Sequence, residues 1–251
     1  MSDAWAQNQI YWATLAYARW WMAIDAPFIG ALKAQNGFTV PLLRRVAVRY
    51  NVNRGILQAD DGSDSGANGI VGLIHDASRA GNWPSSLLER AATCLRIAQE
   101  AQSHGHTATL QVSGISKFMW FLNPQGWTLF DRFASAGMNV PSYWSRKDQF
   151  VAFYERLDEA GFQDVVGRIE PIVVASCLPN LPTSRIVDSL LMARGQRGSA
   201  HHEVGESRAF LDILPRTFRD GLHDLAATLQ GEVGNAALAA PVRLKKRSNG
   251  A

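Results

Sequence analysis

Apolar residues recur every three or four positions along most of the chain, a spacing that predicts successive amphipathic helices rather than alternating strands. Tyr11, Leu15, Ala18 and Met22 share one face of a first helical region over residues 4–33, with Ala26-Pro27 as its break or kink. Residues 41–50 read as a short helix with Pro41 in its first turn. Leu87, Leu88, Ala91, Leu95 and Ala98 stay in register over 84–101 and predict an amphipathic helix, with Ser85 or Ser86 available to cap it. Further helices are expected over 131–137, over 145–161 with Phe150, Tyr154 and Leu157 inward, over 186–192, and as one or two segments over 208–230. The apolar, β-branched stretch 167–177 suggests strand by propensity, but it has no second strand to pair with and reads as a buried helix.

Between these elements the polar stretches predict turns. Residues 60–69 form an acidic, glycine-containing loop whose carboxylates lack the spacing and the closing glutamate of a calcium loop. Residues 103–107 form a Gly/His turn. No internal repeat is evident, and no glycine-rich phosphate loop follows a strand. The expected fold class is mainly α: a compact multi-helix body forming a single domain over 1–240, with a basic, disordered tail over 241–251. A division of that body into two lobes around a cleft near Lys117 and Asp131 is compatible with the pattern.

Composition narrows the classes. The chain has 251 residues, 47% of them hydrophobic, enough for a substantial core. The chain is rich in tryptophan, with eight; most are expected to be structural, and rings near a cleft can stack on bases. A net charge of +3 permits a nucleic-acid partner without selecting one; Arg44, Arg45 and Arg49 on one short helix are candidates for a phosphate-facing surface, with a solvated face as the alternative. Cys94 and Cys177 lie far apart in apolar runs and read as free thiols of a reducing compartment. His104, His106 and the run His201-His202-Glu203 lack metal-ligand spacing, so no metal is expected. The first residues do not read as a signal peptide, and no apolar run reaches the roughly 20 residues of a membrane span, so a cytoplasmic protein without membrane contact is expected.

The densest chemical signal is Ser113 to Arg132. A small-residue turn leads into a helix carrying Lys117, a proline at 124 breaks it, and Asp131 opens the next helix fourteen residues after the lysine. Trp120 and Phe121 fall three and four residues beyond Lys117 on the same helical face, where they would exclude water and favour the neutral amine. A surface lysine whose stem lies along apolar rings is the competing interpretation, as is a purely capping Asp131. Arg185, Asp188 and Arg194 flank another apolar helix, from which Asp188 could approach the cleft.

The run Ser116-Lys117-Phe-Met-Trp120-Phe-Leu-Asn-Pro124, followed by Trp127 and Asp131-Arg132, resembles the active-site segment of the helix-hairpin-helix DNA glycosylases. It is most similar to that of bacterial proteins with the 8-oxoguanine DNA glycosylase fold. The resemblance covers about thirty residues. It implies a DNA glycosylase, with or without AP-lyase activity, in which Lys117 is the Schiff-base nucleophile and Asp131 the carboxylate that stabilises the sugar cation. It implies a flipped 8-oxoguanine-like or phage-modified base in DNA as substrate, no cofactor, and a role in repair or in phage defence. Gly114 and Ser116 would belong to the phosphate-binding hairpin, although the usual second glycine is absent and Lys117 follows Gly114 by three residues rather than four. Trp120, Trp127, Tyr143 and Trp144 are the rings from which a base pocket would draw one or two members, and Arg132 would contact a phosphate. A non-catalytic DNA-binding or regulatory module on the same fold is the alternative.

Overall fold

The computed structural model describes residues 7–58, 62–79, 83–196 and 200–233, with backbone only for 200–203. It is mainly helical, and no strand occurs among the described residues. The helices are α1 (Gln9–Trp20), α2 (Ala26–Ala34), α3 (Val40–Arg49), α4 (Ser65–Arg79), α5 (Leu87–Ser103) and α6 (Val112–Leu122). They continue as α7 (Arg132–Gly137), α8 (Arg146–Glu159), α9 (Phe162–Val174), α10 (Thr183–Gly195), α11 (Ala200–Asp212) and α12 (Arg216–Val233). The expected basic tail at 241–251 lies outside the described residues, as do Asp60 and Asp61 and the side chains of the His201-His202-Glu203 run.

Two elements depart from the sequence pattern for identifiable reasons. Pro27 does not break the first helical region. A π-helical turn over Trp21–Asp25 joins α1 to α2, and Pro27 occupies the first turn of α2, where its missing N–H leaves little unpaired. Residues 65–69, expected as loop, begin α4. Their glycines and asparagine have poor helix propensity, yet a Cβ at Gly66 would lie 2.5 Å from the carbonyl oxygens of Leu57 and His106, so close packing selects them. Gly161 at φ +70° ends the α8 segment and opens α9, and the buried faces of Val165, Val166, Ile169 and Val173 confirm the stretch as helix.

The largest fully buried rings, among them Trp120, Trp127, Phe130, Phe153 and Tyr154, hold α6, the following segment and α8 together in one core. A smaller cluster of Trp12, Leu15, Ala18, Leu211, Leu222 and Ala226 fastens α1 to α11 and α12. Helices α7 and α10 cross at backbone contact. A Cβ at Gly137 would meet the Leu191 carbonyl oxygen at 2.1 Å, and one at Gly195 would meet that of Phe133 at 1.8 Å. This crossing sets the N-terminus of α7, where Asp131 lies, against α10, which carries Arg185 and Asp188. Gly195→Ala must push the two helices apart. It is expected to destabilise the fold by about 1–3 kcal/mol, the usual range for overpacking. Urea unfolding measures this; an unchanged midpoint would contradict the close crossing.

Candidate functional site

The segment between α6 and α7 is fixed by side chains, and that fixing builds the site. Tyr154 Oη donates to the Thr128 carbonyl at 2.8 Å, and the Phe130 N–H donates to Ser116 Oγ at 3.3 Å. The Phe130 carbonyl then faces α6 and accepts from both Ser113 Oγ (3.1 Å) and Lys117 Nζ (2.9 Å). Lys117 Nζ also donates to Ser113 Oγ at 2.8 Å; a spacing of four residues places the two on one helical face. The lysine is 2% exposed.

Asp131 divides its two oxygens. Oδ1 accepts from the Phe133 N–H at 2.8 Å, making the residue the N-cap of α7, while Oδ2 lies 3.8 Å from Lys117 Nζ. The capping and pairing roles therefore coexist. Burial brings the Lys117 amine down to about 8, opposed by the Asp131 carboxylate and assisted by the Arg185 and Arg146 guanidinium groups. Near neutral pH a usable fraction of this amine is unprotonated, unlike that of an ordinary lysine.

A cavity of about 900 Å³ opens onto this pair. Lys117, Asp131 and Arg132 line it together with Tyr17, Trp20 and Tyr50 from the N-terminal helices and Arg185 and Asp188 from α10. Behind it the π-helical turn carries Asp25, fully buried, which accepts from Tyr17 Oη (3.1 Å), Trp20 Nε1 (3.0 Å) and Tyr50 Oη (2.5 Å). Arg185 Nε lies 4.0 Å from Asp25, and its guanidinium is stacked 5.3 Å from the ring centres of Tyr17 and Trp120. Burial raises the Asp25 carboxyl, with Arg185 the largest influence opposing it.

At the mouth, Arg49, Arg54, Arg132 and Arg146 are exposed and line the cavity. Arg49 lies over the Trp20 ring at 5.2 Å and Arg132 over Phe133 at 4.5 Å, and among the described residues none of the four forms an ion pair with a carboxylate. Arg44, by contrast, is taken up by Asp64 at 2.6 Å, so of the three arginines on α3 only Arg49 lines the cavity.

The other residues singled out from the sequence lie elsewhere. Residues 113–116 are not a hairpin ahead of the helix: they form the first turns of α6, which Gln111 begins and whose Ile115 N–H donates to the Gln111 carbonyl. Gly114 is buried, its Cα facing Val52, and Ser116 is fully buried and bonded within the protein, so neither presents a phosphate site. Trp120 and Trp127 are fully buried and do not line the cavity; Trp127 Nε1 donates to the Asn123 carbonyl at 2.7 Å, and its ring packs against Trp83. Trp144 is half-buried against the core and also stands apart from the cavity, while Tyr143 is 85% exposed. The rings at the cavity are instead Tyr17, Trp20, Tyr50 and Phe133. Sequence spacing gives no sign of the first three, because they converge only when α1, the π-helical turn and α3 pack together.

No group of three or more His, Cys, Asp or Glu side chains able to hold a metal occurs among the described residues. Nor is any helix there long and apolar enough to cross a membrane. Comparison of the chain with protein-family models, with curated proteins and with solved structures finds no match.

Proposed function

We propose that the protein is a DNA glycosylase with AP-lyase activity, acting on a modified base turned out of the duplex. The observation that carries this reading is the buried Lys117 amine, brought down to about 8, set 3.8 Å from the Asp131 carboxylate at the wall of an arginine-rimmed cavity. Cleavage of the bond between C1′ and the base nitrogen passes through a sugar with oxocarbenium character, which the Asp131 carboxylate stabilises. The neutral amine forms the new bond to C1′ as the base departs with the bonding electron pair and takes up a proton. Ring opening gives a protonated imine between Nζ and C1′. Loss of a proton from C2′ then expels the 3′ phosphate, cutting the strand.

The exposed arginines suit the phosphates that flank an extruded nucleotide. Each phosphate contact adds about 0.9 to the slope of log affinity against log salt on duplex DNA. Arg49→Ala and Arg132→Ala are therefore each expected to flatten that slope by about 1. Fluorescence anisotropy of labelled duplex across a salt series measures it, and a slope unaltered in both variants would remove the DNA-facing role of the rim.

A non-catalytic DNA-binding module is favoured by one feature: both hydrogen bonds of Lys117 are made within the protein, to Ser113 and Phe130, as in a structural lysine. Base release from duplexes carrying oxidised or otherwise modified bases separates the readings. Release that depends on Asp131 supports the enzyme; tight binding without release supports the module.

A further inference from the structure

The cavity has a buried polar floor that the Lys117 and Asp131 chemistry does not use. Helix α10 places Arg185 and Asp188 three residues apart, both lining the cavity, 5% and 0% exposed. An Arg185 N–H donates to Asp188 Oδ2. The other oxygen, Asp188 Oδ1, is buried and has no hydrogen-bond partner among the described residues. A buried carboxylate oxygen without a donor is unfavourable and uncommon, and it calls for an N–H or O–H from outside the protein.

The surroundings indicate what kind. Tyr17, Trp20 and Tyr50 supply flat faces on the same cavity. Their polar atoms are already committed to Asp25, which leaves Asp188 Oδ1 as the open acceptor beside these rings. The unpaired Oδ1 favours a ring edge that sets an N–H donor against it and disfavours one that sets a carbonyl oxygen there.

We infer that Asp188 reads the extruded base and selects bases carrying an exocyclic amino group over their deaminated counterparts. This rests on the cavity being the base pocket of the proposed glycosylase. An exocyclic amine offers two N–H groups to Oδ1. The ring N–H of a uracil-type base is flanked by two carbonyl oxygens, whose lone pairs would face the carboxylate. Arg185, stacked on Tyr17 and Trp120, fixes the Asp188 carboxylate, while its own Nε, buried without a hydrogen-bond partner, faces Asp25 at 4.0 Å.

The test is calorimetric titration of the protein with two nucleoside pairs, adenosine against inosine and cytidine against uridine. A hydrogen bond to a carboxylate predicts that the amino-bearing member of each pair binds on the order of tenfold tighter. Asp188→Asn is expected to reduce that preference to about threefold or less while inosine binds as before, because the amide oxygen accepts without charge. The wild-type comparison needs no variant and stands even if Asp188→Asn does not fold. Equal affinities within both pairs, or no binding of any of the four nucleosides, overturn the inference. Schiff-base trapping on a duplex with an abasic site involves no base, so its failure and the failure of base selection are separately visible.

Discussion

Lys117→Gln is expected to abolish strand cleavage at an abasic site, by at least about 10³-fold, while leaving duplex affinity within about twofold of wild type. The amide cannot form an imine, so the covalent route closes completely rather than slowing. Glutamine keeps a donor that can reach Ser113 or Phe130, and the fold loses no more than a rearranged hydrogen bond. Affinity persists because the cations that would meet phosphate are Arg49, Arg54, Arg132 and Arg146, all at the mouth. Gel analysis of a 5′-labelled abasic duplex measures cleavage, and anisotropy on the same duplex measures binding. Undiminished cleavage by the variant would end the assignment of Lys117 as nucleophile; loss of binding together with cleavage would recast it as a structural or phosphate-holding lysine.

Asp131→Asn is expected to slow base release by about 10²–10³-fold, the range for removing one preorganised charge from a transition state. Asparagine is as good an N-cap as aspartate, so the Oδ1 contact with the Phe133 N–H survives and α7 keeps its start. The substitution therefore separates charge from capping. It also carries a second, opposite signature. Asp131 holds a proton on Lys117, so without it the amine drops further below about 8. Cleavage of an abasic site made beforehand, which bypasses base release, should become less dependent on pH between 7 and 9. In the wild type it should rise through about 8 as the amine loses its proton. Parallel measurement of base release on a damaged duplex and of cleavage on an abasic one gives both quantities. Equal loss in the two, with a lowered melting temperature, would mean that only the cap matters.

The linear pattern carried most of the helices because their buried faces repeat at helical spacing, as in α5 with Leu87, Ala91, Cys94 and Ala98. It also carried the Lys117 and Asp131 pair, since both belong to one short segment whose turns are set locally by Ser113, Ser116 and Asp131 itself. What it misplaced depends on packing between distant segments. Gly66 and Gly137 are poor helix formers made necessary by a neighbouring backbone that no local pattern contains. Trp120 went to the core because α6 is buried on nearly all sides, and Trp127, beyond that helix, is buried against Trp83. Apart from Phe133, the rings that line the cavity come from α1 and the end of α3, roughly seventy to a hundred residues away in sequence. The floor of the cavity was half legible: Asp188 is one helical turn from Arg185, but the orphaned Oδ1 is a property of the packed site alone.

The proposed mechanism turns on a covalent imine between Lys117 and the sugar. The most direct measurement is borohydride trapping of the protein on a duplex with a single abasic site, followed by peptide mapping of the adduct. A stable protein–DNA adduct mapping to Lys117 is expected, with a yield that rises between pH 7 and 9. Absence of an adduct across that range, or an adduct of equal yield in Lys117→Gln, would contradict it.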